Sequence, residues 1–224
     1  MLHYIERGEG EPLILLHGNG EDSGYFDRQM GPFSAHFRTI AVDTRGHGRS
    51  PRGDAPFTLS QFADDLAAFM DALGLARAHL LGFSDGANIA MLFALKNPVR
   101  VGKLVLNGGN LRPSGVRPAV QLPIVLGYGL CAVLSKFDWR AVPKRELLGL
   151  MVREPKLRPS DLAALSMPAL VVAGDRDMIR RSHTEQIARA LPNGRLILLP
   201  GDHFVARGNP EAFNRAVLEF LLEN

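Results

Sequence analysis

A serine flanked by glycines marks the part of this chain best suited to chemistry. The segment Gly82-Phe83-Ser84-Asp85-Gly86 lies between a short apolar run at residues 78–81 and an apolar helical pattern that Pro98 ends. A strand that turns this sharply into a helix forces strained dihedral angles on the serine and leaves no room for side chains two positions to either side. Glycine at positions 82 and 86 meets that demand, so the segment predicts a serine nucleophile.

A serine nucleophile needs a base that takes its proton and an acid that orients the base. Both groups are available downstream, each after an apolar run typical of a strand. Residues 169–173 lead into Gly174-Asp175-Arg176-Asp177, and residues 195–199 lead into Pro200-Gly201-Asp202-His203. Serine, acid and histidine follow in the chain order expected when the nucleophile sits on a strand-to-helix elbow.

Two further loops follow predicted strands. Residues 13–16 lead into His17-Gly18-Asn19-Gly20, a flexible turn able to aim backbone N–H groups at a developing oxyanion. Residues 39–42 lead into segment 43–50, which reads Asp-Thr-Arg-Gly-His-Gly-Arg-Ser. With these five motifs in this order, the chain resembles enzymes of the α/β-hydrolase fold over most of its length, from about Leu2 to the C-terminal helix.

The resemblance implies a role for each group of the predicted relay. Ser84 is the nucleophile, His203 the base and Asp177 the acid. The family usually places its acid three residues after the glycine that ends the strand, which favours Asp177 over Asp175. Asp175 fits a turn former that bonds its own loop, and Asp202, beside the histidine, is a third and weaker candidate.

The resemblance also implies an oxyanion hole made by the backbone N–H groups of Asn19 and Asp85. In the family, the positions of His17 and His47 mainly shape the site. The other histidines are expected to be structural or exposed: His3, His36, His79 and His183. No pair of histidines has metal-ligand spacing with carboxylates or with the single cysteine, Cys131, so neither a metal nor a cofactor is expected.

Strand and helix patterns alternate along the chain, which predicts an α/β fold with a mainly parallel sheet covered by helices on both faces. The usual fold opens with a hairpin of two strands before the His-Gly loop, but here only residues 2–7 precede the turn at residues 8–12, so we expect the first strand of the family to be missing, which leaves seven. Thr58 is expected to cap one helix and Asn209 another, with Pro210 in its first turn. At 224 residues and 46% hydrophobic content, residues 1–224 are expected to form one domain.

Residues 110–166 fall where the family inserts a cap over its pocket. They hold nine Lys or Arg against four Asp or Glu, a net charge of +5 in a chain whose total is +3. Segment 118–135 is uncharged and apolar, and Pro123, Gly127 and Gly129 are expected to interrupt it. We expect a small helical cap with an apolar face over the site and no membrane span, which leaves peripheral contact with lipid open.

Composition narrows the partners and the compartment. Basic residues are dispersed rather than interleaved with aromatics in runs, so nucleic-acid binding is not expected. The N-terminal residues 1–7 lack the basic-then-apolar layout of a signal peptide, and one cysteine cannot form an internal disulfide. A cytoplasmic enzyme that acts on a small molecule is the expectation, and the oligomeric state stays open.

Serine at the elbow limits the chemistry, because serine attacks a carbonyl and forms an acyl-enzyme. Esters, thioesters, amides and C–C bonds beside a ketone qualify, and an ester asks least of its leaving group. Asp85 is expected either to hold a cationic group, as in an α-amino-acid ester, or simply to face solvent or the helix N-terminus. A C–C bond hydrolase and a small-molecule receptor that keeps the triad are the remaining alternatives.

Overall fold

The computed structural model describes residues 1–223 and forms one seven-stranded sheet. The strands are β1 (Tyr4–Arg7), β2 (Pro12–Leu16), β3 (Arg38–Val42), β4 (Ala78–Phe83), β5 (Val101–Asn107), β6 (Ala169–Gly174) and β7 (Gly194–Leu199). Their spatial order is β1-β3-β2-β4-β5-β6-β7. Strand β1 runs antiparallel to β3 and all other neighbours are parallel. The predicted mainly parallel sheet of seven strands, with only β1 before the turn that leads into β2, is confirmed.

Helices cover both faces of the sheet. They are α1 (Asp27–Ser34), α2 (Leu59–Ala72), α3 (Asp85–Lys96), α4 (Pro118–Leu134), α5 (Val142–Arg153), α6 (Pro159–Leu162), α7 (Arg181–Ala190), α8 (Val205–Gly208) and α9 (Pro210–Leu222). Alternate residues of β2 join different cores: Ile14 packs with α2 and α3, whereas Leu13 packs with α1 and α9. Such alternation is the period of a strand buried on both faces.

Helix ends follow the sequence signals in one case and depart from them in another. The Thr58 hydroxyl accepts a hydrogen bond from Gln61 N at 3.1 Å and caps α2 as predicted. Pro210 occupies the first turn of α9, but the predicted Asn209 side-chain cap is wrong. The Asn209 amide instead donates to the carbonyl of Pro200 at 3.2 Å, which ties α9 to the loop after β7.

The cap lies between β5 and β6 and consists mainly of α4 and α5, which pack against each other. The predicted interruption of segment 118–135 is wrong, since α4 is continuous from Pro118 to Leu134. Pro123 lies near the start of the helix, where its missing N–H removes one bond to the first turn. Within residues 1–223, the length and hydropathy of each helix fall short of what a bilayer crossing needs.

Candidate active site

The nucleophile elbow is built by β4 and α3. Ser84 sits between them with φ +53°, and within residues 1–223 it is the one non-glycine residue with positive φ. A Cβ atom at Gly82 would overlap the backbone of Gly86, and a Cβ atom at Gly86 would overlap the carbonyl of Leu16. Only glycine fits at either position. The strain on Ser84, on the order of 1–3 kcal/mol, is held by the surrounding strands and helix.

Ser84, His203 and Asp177 come together at the carboxyl edge of the sheet. His203 Nε2 lies 3.0 Å from Ser84 Oγ, and His203 Nδ1 lies 2.8 Å from Asp177 Oδ1. The same carboxylate oxygen accepts a hydrogen bond from Ile179 N at 2.8 Å, which fixes its position. Histidine and aspartate are 4% and 3% exposed. Such a chain of contacts can pass the serine proton to the imidazole while the carboxylate holds the ring tautomer.

The other two candidate acids contact backbone rather than the imidazole. Asp175 Oδ1 accepts from Gly201 N at 3.0 Å, and its side chain is half exposed. Asp202 Oδ1 accepts from Phe204 N at 2.9 Å. Both carboxylates therefore shape their own loops. Of the three candidates, the structure places Asp177 against His203.

The two residues of the expected oxyanion hole are neighbours. Asn19 Nδ2 donates to Asp85 Oδ2 at 2.9 Å, so the loop after β2 and the elbow are in direct contact. The same amide lies 3.0 Å from the carbonyl of Leu147 in α5, which ties both loops to the cap. Because Asp85 begins α3, its backbone N–H has no partner within the helix and is free to bind an oxyanion.

The Asp85 side chain neither faces solvent nor caps its helix. It is 8% exposed, and its carboxylate accepts from the amides of Asn19 and Asn88, the latter at 3.2 Å. Burial raises the pKa of Asp85, while these hydrogen bonds and the nearby His203 act in the opposite direction. Among the described residues its hydrogen-bond partners are neutral amides, so a buried carboxyl lies beside the nucleophile without an ion-pair partner.

A second carboxyl lies near Asp85 and was not foreseen from the sequence. Glu154, in the cap just after α5, accepts from Leu59 N at 2.7 Å. Burial raises the pKa of Glu154, and the charge of Asp85 raises it further. Asn88 was also missed, although an asparagine inside the apolar helical run of α3 is an available signal. Its amide donates to Asp85 and also to Asn110 Oδ1 at 3.0 Å, which links the elbow to the start of the cap.

Glu21 is a further carboxyl beside the site. Burial raises the pKa of Glu21 to about 6, against the hydrogen bond from Gly18 N and the nearby charges of Arg207 and His203. The contact to Gly18 N, at 3.3 Å, holds the turn that carries Asn19. Its sequence signal is weak, since a single glutamate in a polar loop is ordinarily solvated.

The two histidines of the loop motifs connect loops. Burial lowers the pKa of His17 to about 4, so the ring is neutral near pH 7. Its Nδ1 donates to the carbonyl of Gly18 at 2.7 Å and its Nε2 accepts from Thr44 N at 3.0 Å. His47 Nδ1 lies 3.1 Å from the Thr44 hydroxyl, and burial lowers the pKa of His47 as well. These contacts join the loop after β2 to the loop after β3.

The remaining histidines make structural contacts or face solvent. His3 Nδ1 lies 2.8 Å from Asp43 Oδ2, and His79 and His183 each accept a backbone N–H at 2.9 Å. His36 is exposed. Over residues 1–223, the His, Cys, Asp and Glu side chains do not form a group of three or more suited to hold a metal ion.

Comparison with known proteins places this geometry in a family. A family model described as alpha/beta hydrolase fold matches residues 11–129. The chain belongs to this family, as the motifs indicated, and is a hydrolase of the α/β fold.

Relatives share the whole length of the chain. A protein of Caulobacter sp. (strain K31) named "putative carbamate hydrolase RutD" is 32% identical over 258 residues, covering 99% of this chain and 95% of the relative. A 2-hydroxy-6-oxononadienedioate/2-hydroxy-6-oxononatrienedioate hydrolase of Pseudomonas putida is also 32% identical, covering 98% and 91%. The enol-lactonase from Burkholderia xenovorans LB400 has the same fold, with a TM-score of 0.83, 24% identity and coverage of 99% and 96%.

Proposed function

We propose that the protein is a serine hydrolase that cleaves small carboxylic esters through an acyl-enzyme. The observation that carries this proposal is the continuous contact from Ser84 Oγ through His203 to Asp177, at 3.0 and 2.8 Å, on a strained elbow. Serine held in this way attacks a carbonyl carbon, and esters need the least activation of the leaving group.

In the proposed mechanism, His203 takes the Ser84 proton as the oxygen attacks the ester carbonyl. The backbone N–H groups of Asn19 and Asp85 stabilise the oxyanion, each by on the order of 3 kcal/mol. His203 then gives its proton to the departing alcohol, and water repeats the cycle on the acyl-enzyme. Asp177 keeps the proton on Nδ1 throughout, so that Nε2 faces the serine.

The charge of the site favours neutral esters over the substrate of the Pseudomonas putida relative. That relative is named for oxononadienedioates, which carry two carboxylates. Here the buried Asp85 follows Ser84 directly, and Glu154 lies near enough to Asp85 for the two carboxyl groups to interact. Burial already raises the pKa of both groups, so further negative charge in this poorly solvated place is unfavourable. A dicarboxylate is therefore disfavoured, whereas a neutral ester or a neutral carbamate, which share the same acyl chemistry, is not.

A more specific candidate is an ester of an α-amino acid. Asp85 is buried beside Ser84, and among the described side chains it accepts hydrogen bonds only from neutral amides. A substrate ammonium would supply the missing cation and turn an unpaired buried carboxylate into a charge-assisted hydrogen bond. Because such bonds contribute about 1.5–3 kcal/mol, we expect a preference of tenfold or more for a substrate with an amino group.

The nucleophile is tested with the Ser84→Ala variant and a 4-nitrophenyl ester. We expect turnover to be abolished while the melting temperature is unchanged, and a fluorophosphonate to label the parent protein but not the variant. Ser182→Ala, at an exposed serine of α7, is the matched control and should keep full activity. Retained turnover in Ser84→Ala would place the nucleophile elsewhere. A single slow turnover with a persistent adduct on Ser84 would instead indicate a receptor.

The substrate is tested by comparing alanyl and propionyl esters of one alcohol, which differ only in the amino group. The amino-acid hypothesis predicts at least a tenfold higher kcat/KM for the alanyl ester, reduced towards equality in Asp85→Asn. Equal kcat/KM values in the parent protein would contradict the amino-acid hypothesis and favour an esterase without a preference for amino groups. Activity on vinylogous diketones with little on simple esters would favour a C–C bond hydrolase.

A further inference from the structure

The outer face of α4 is apolar and uncovered. Leu122, Leu126, Leu130 and Val133 are all exposed and recur every three or four residues, so they form one stripe along the helix, and the exposed Phe137 lies in the turn just after it. Phe137 is 86% exposed and Leu126 66%. Trp139, in the turn that follows α4, is 76% exposed and extends the same surface. We call these six residues the cap face.

A helix with this composition normally lies inside a protein. Residues 118–134 contain no charged side chain, and among them Cys131 alone is buried. Helix α4 packs on one side against α5, which leaves the opposite side without a protein neighbour within residues 1–223. Apolar surface of this extent on a folded domain marks an interaction site.

Basic residues border the cap face at both ends. Arg117 precedes α4, and Lys136, Arg140 and Lys144 follow it, all exposed and, among residues 1–223, outside every ion pair. Of the nearby acids, the Glu146 carboxylate is paired with Arg52 at 2.8 Å. Asp138 Oδ1 accepts from the backbone N–H of Arg140. The border of the cap face therefore carries a net positive charge.

From this arrangement we propose that the cap face binds the surface of an anionic lipid membrane. Leucine, phenylalanine and tryptophan enter the boundary between headgroups and acyl chains, while bordering lysine and arginine contact anionic headgroups. Charge decides against a second copy of the chain as the occupant. In a two-fold pair the basic ends of one face would meet basic ends of the other, which is unfavourable. An anionic membrane supplies the opposite charge.

Trp139 gives a direct test, because it is the only tryptophan in the sequence. The full chain is mixed with vesicles of phosphatidylcholine alone or of phosphatidylcholine with phosphatidylglycerol. We expect a blue shift of the emission and quenching by brominated lipid with the anionic vesicles only, reversed by salt. An emission spectrum unchanged by anionic vesicles would overturn the proposal. Equal binding to neutral vesicles would contradict the proposed preference for anionic lipid.

Variants separate the two contributions, with binding measured by vesicle sedimentation. Phe137→Ser combined with Leu126→Ser should weaken binding at least tenfold, because the variant lacks two large apolar side chains that would move from water into the lipid. Lys136→Gln combined with Arg140→Gln should weaken it about thirtyfold at low salt. Val99→Ser and Arg215→Gln are matched controls, since both residues are exposed and lie outside the cap. Unchanged binding in both cap double variants would contradict the proposal.

Two further outcomes are informative. Light scattering that shows a dimer in the parent protein and a monomer in Phe137→Ser/Leu126→Ser, without vesicle binding, would assign the cap face to a second copy instead. Ser84→Ala should bind vesicles as the parent does. The membrane proposal therefore stands or fails independently of the proposed ester hydrolysis.

Discussion

The catalytic rim and the cap follow opposite rules of construction. In the rim, formed by the loops after β2, β4, β6 and β7, polar groups are buried and held by specific partners, as Asp177 is by His203 and Ile179. In the cap, the outer helix α4 exposes leucine and valine, and the turn after it exposes Phe137 and Trp139. Glycines show the same contrast: the surroundings of Gly86 leave no room for a Cβ atom, whereas a Cβ at Gly129 would meet nothing within 4 Å.

The difference shows that catalytic geometry constrains the residues of the rim, whereas the binding properties of the surface constrain the outer residues of the cap. Rim residues must keep atoms within hydrogen-bond distance, so small changes there cost catalysis or folding. The side chains on the outer face of α4 are exposed, so changes there should leave folding and chemistry largely intact and alter what the surface binds. Substitutions in each region test whether the rim and the cap differ in this way.

The largest expected effect is in the rim, at the acid. Asp177→Asn should lower kcat on a 4-nitrophenyl ester by about ten-thousand-fold, because the amide lets the imidazole adopt the wrong tautomer. The melting temperature should change little, because asparagine keeps the size and shape of the aspartate side chain. Steady-state kinetics check this, with Asp175→Asn as the matched control. A comparable loss in Asp175→Asn would reassign the acid.

A second prediction concerns the fit of the elbow against β2. Gly86→Ala should lower the free energy of unfolding by at least about 3 kcal/mol, because its Cβ overlaps backbone atoms of Leu16 and His17 that cannot move aside. Urea unfolding measures the change. A loss below about 1 kcal/mol would show that the rim adapts as readily as the cap, and the contrast between the two regions would fail.

A third prediction uses pH. Burial lowers the pKa of His17 to about 4 from its ordinary 6.5. Between pH 6.5 and pH 4, His17 is therefore protonated in the unfolded chain but still neutral in the folded protein. The free energy of unfolding therefore falls as the pH drops below 6.5, by roughly 2 kcal/mol from pH 7 to pH 4.5 for this one group. Urea unfolding of the parent and of His17→Asn at both pH values measures it. The variant should lose that part of the pH dependence, whereas His36→Asn, at an exposed histidine, should not.

Much of the rim was predictable from local patterns. Apolar runs marked the strands, and the glycines at 82 and 86 predicted crowding that the structure shows. Those signals are short-range: a strand, its turn and the next residues determine them together. The choice among Asp175, Asp177 and Asp202 rested on family resemblance, because all three lie in loops after strands. The geometry that distinguishes them depends on the three-dimensional path of two separate loops.

What the sequence did not reveal depends on long-range packing. The contact of Asn19 with Leu147 joins residues 128 positions apart, and no local pattern encodes it. The proximity of Glu154 to Asp85 is likewise set by how the cap folds back on the elbow. Proline and glycine in segment 118–135 suggested an interrupted helix, yet a proline near a helix start and isolated glycines cost too little to break it.

The smallest expected effect lies in the cap and has the opposite sign to that of Gly86→Ala. Gly129 is exposed in the interior of α4 with open space around its Cα. Alanine there restricts the unfolded chain and favours the helix, so Gly129→Ala should raise the free energy of unfolding by about 0.5–1 kcal/mol. Ester turnover should stay unchanged, because the residue lies on the outer helix, away from the loops that carry the triad. Urea unfolding and the 4-nitrophenyl assay check both parts.

Destabilisation by alanine would mean that the exposed side of α4 is covered in solution. If the destabilisation appeared only at high protein concentration, a second copy of the chain would cover that side.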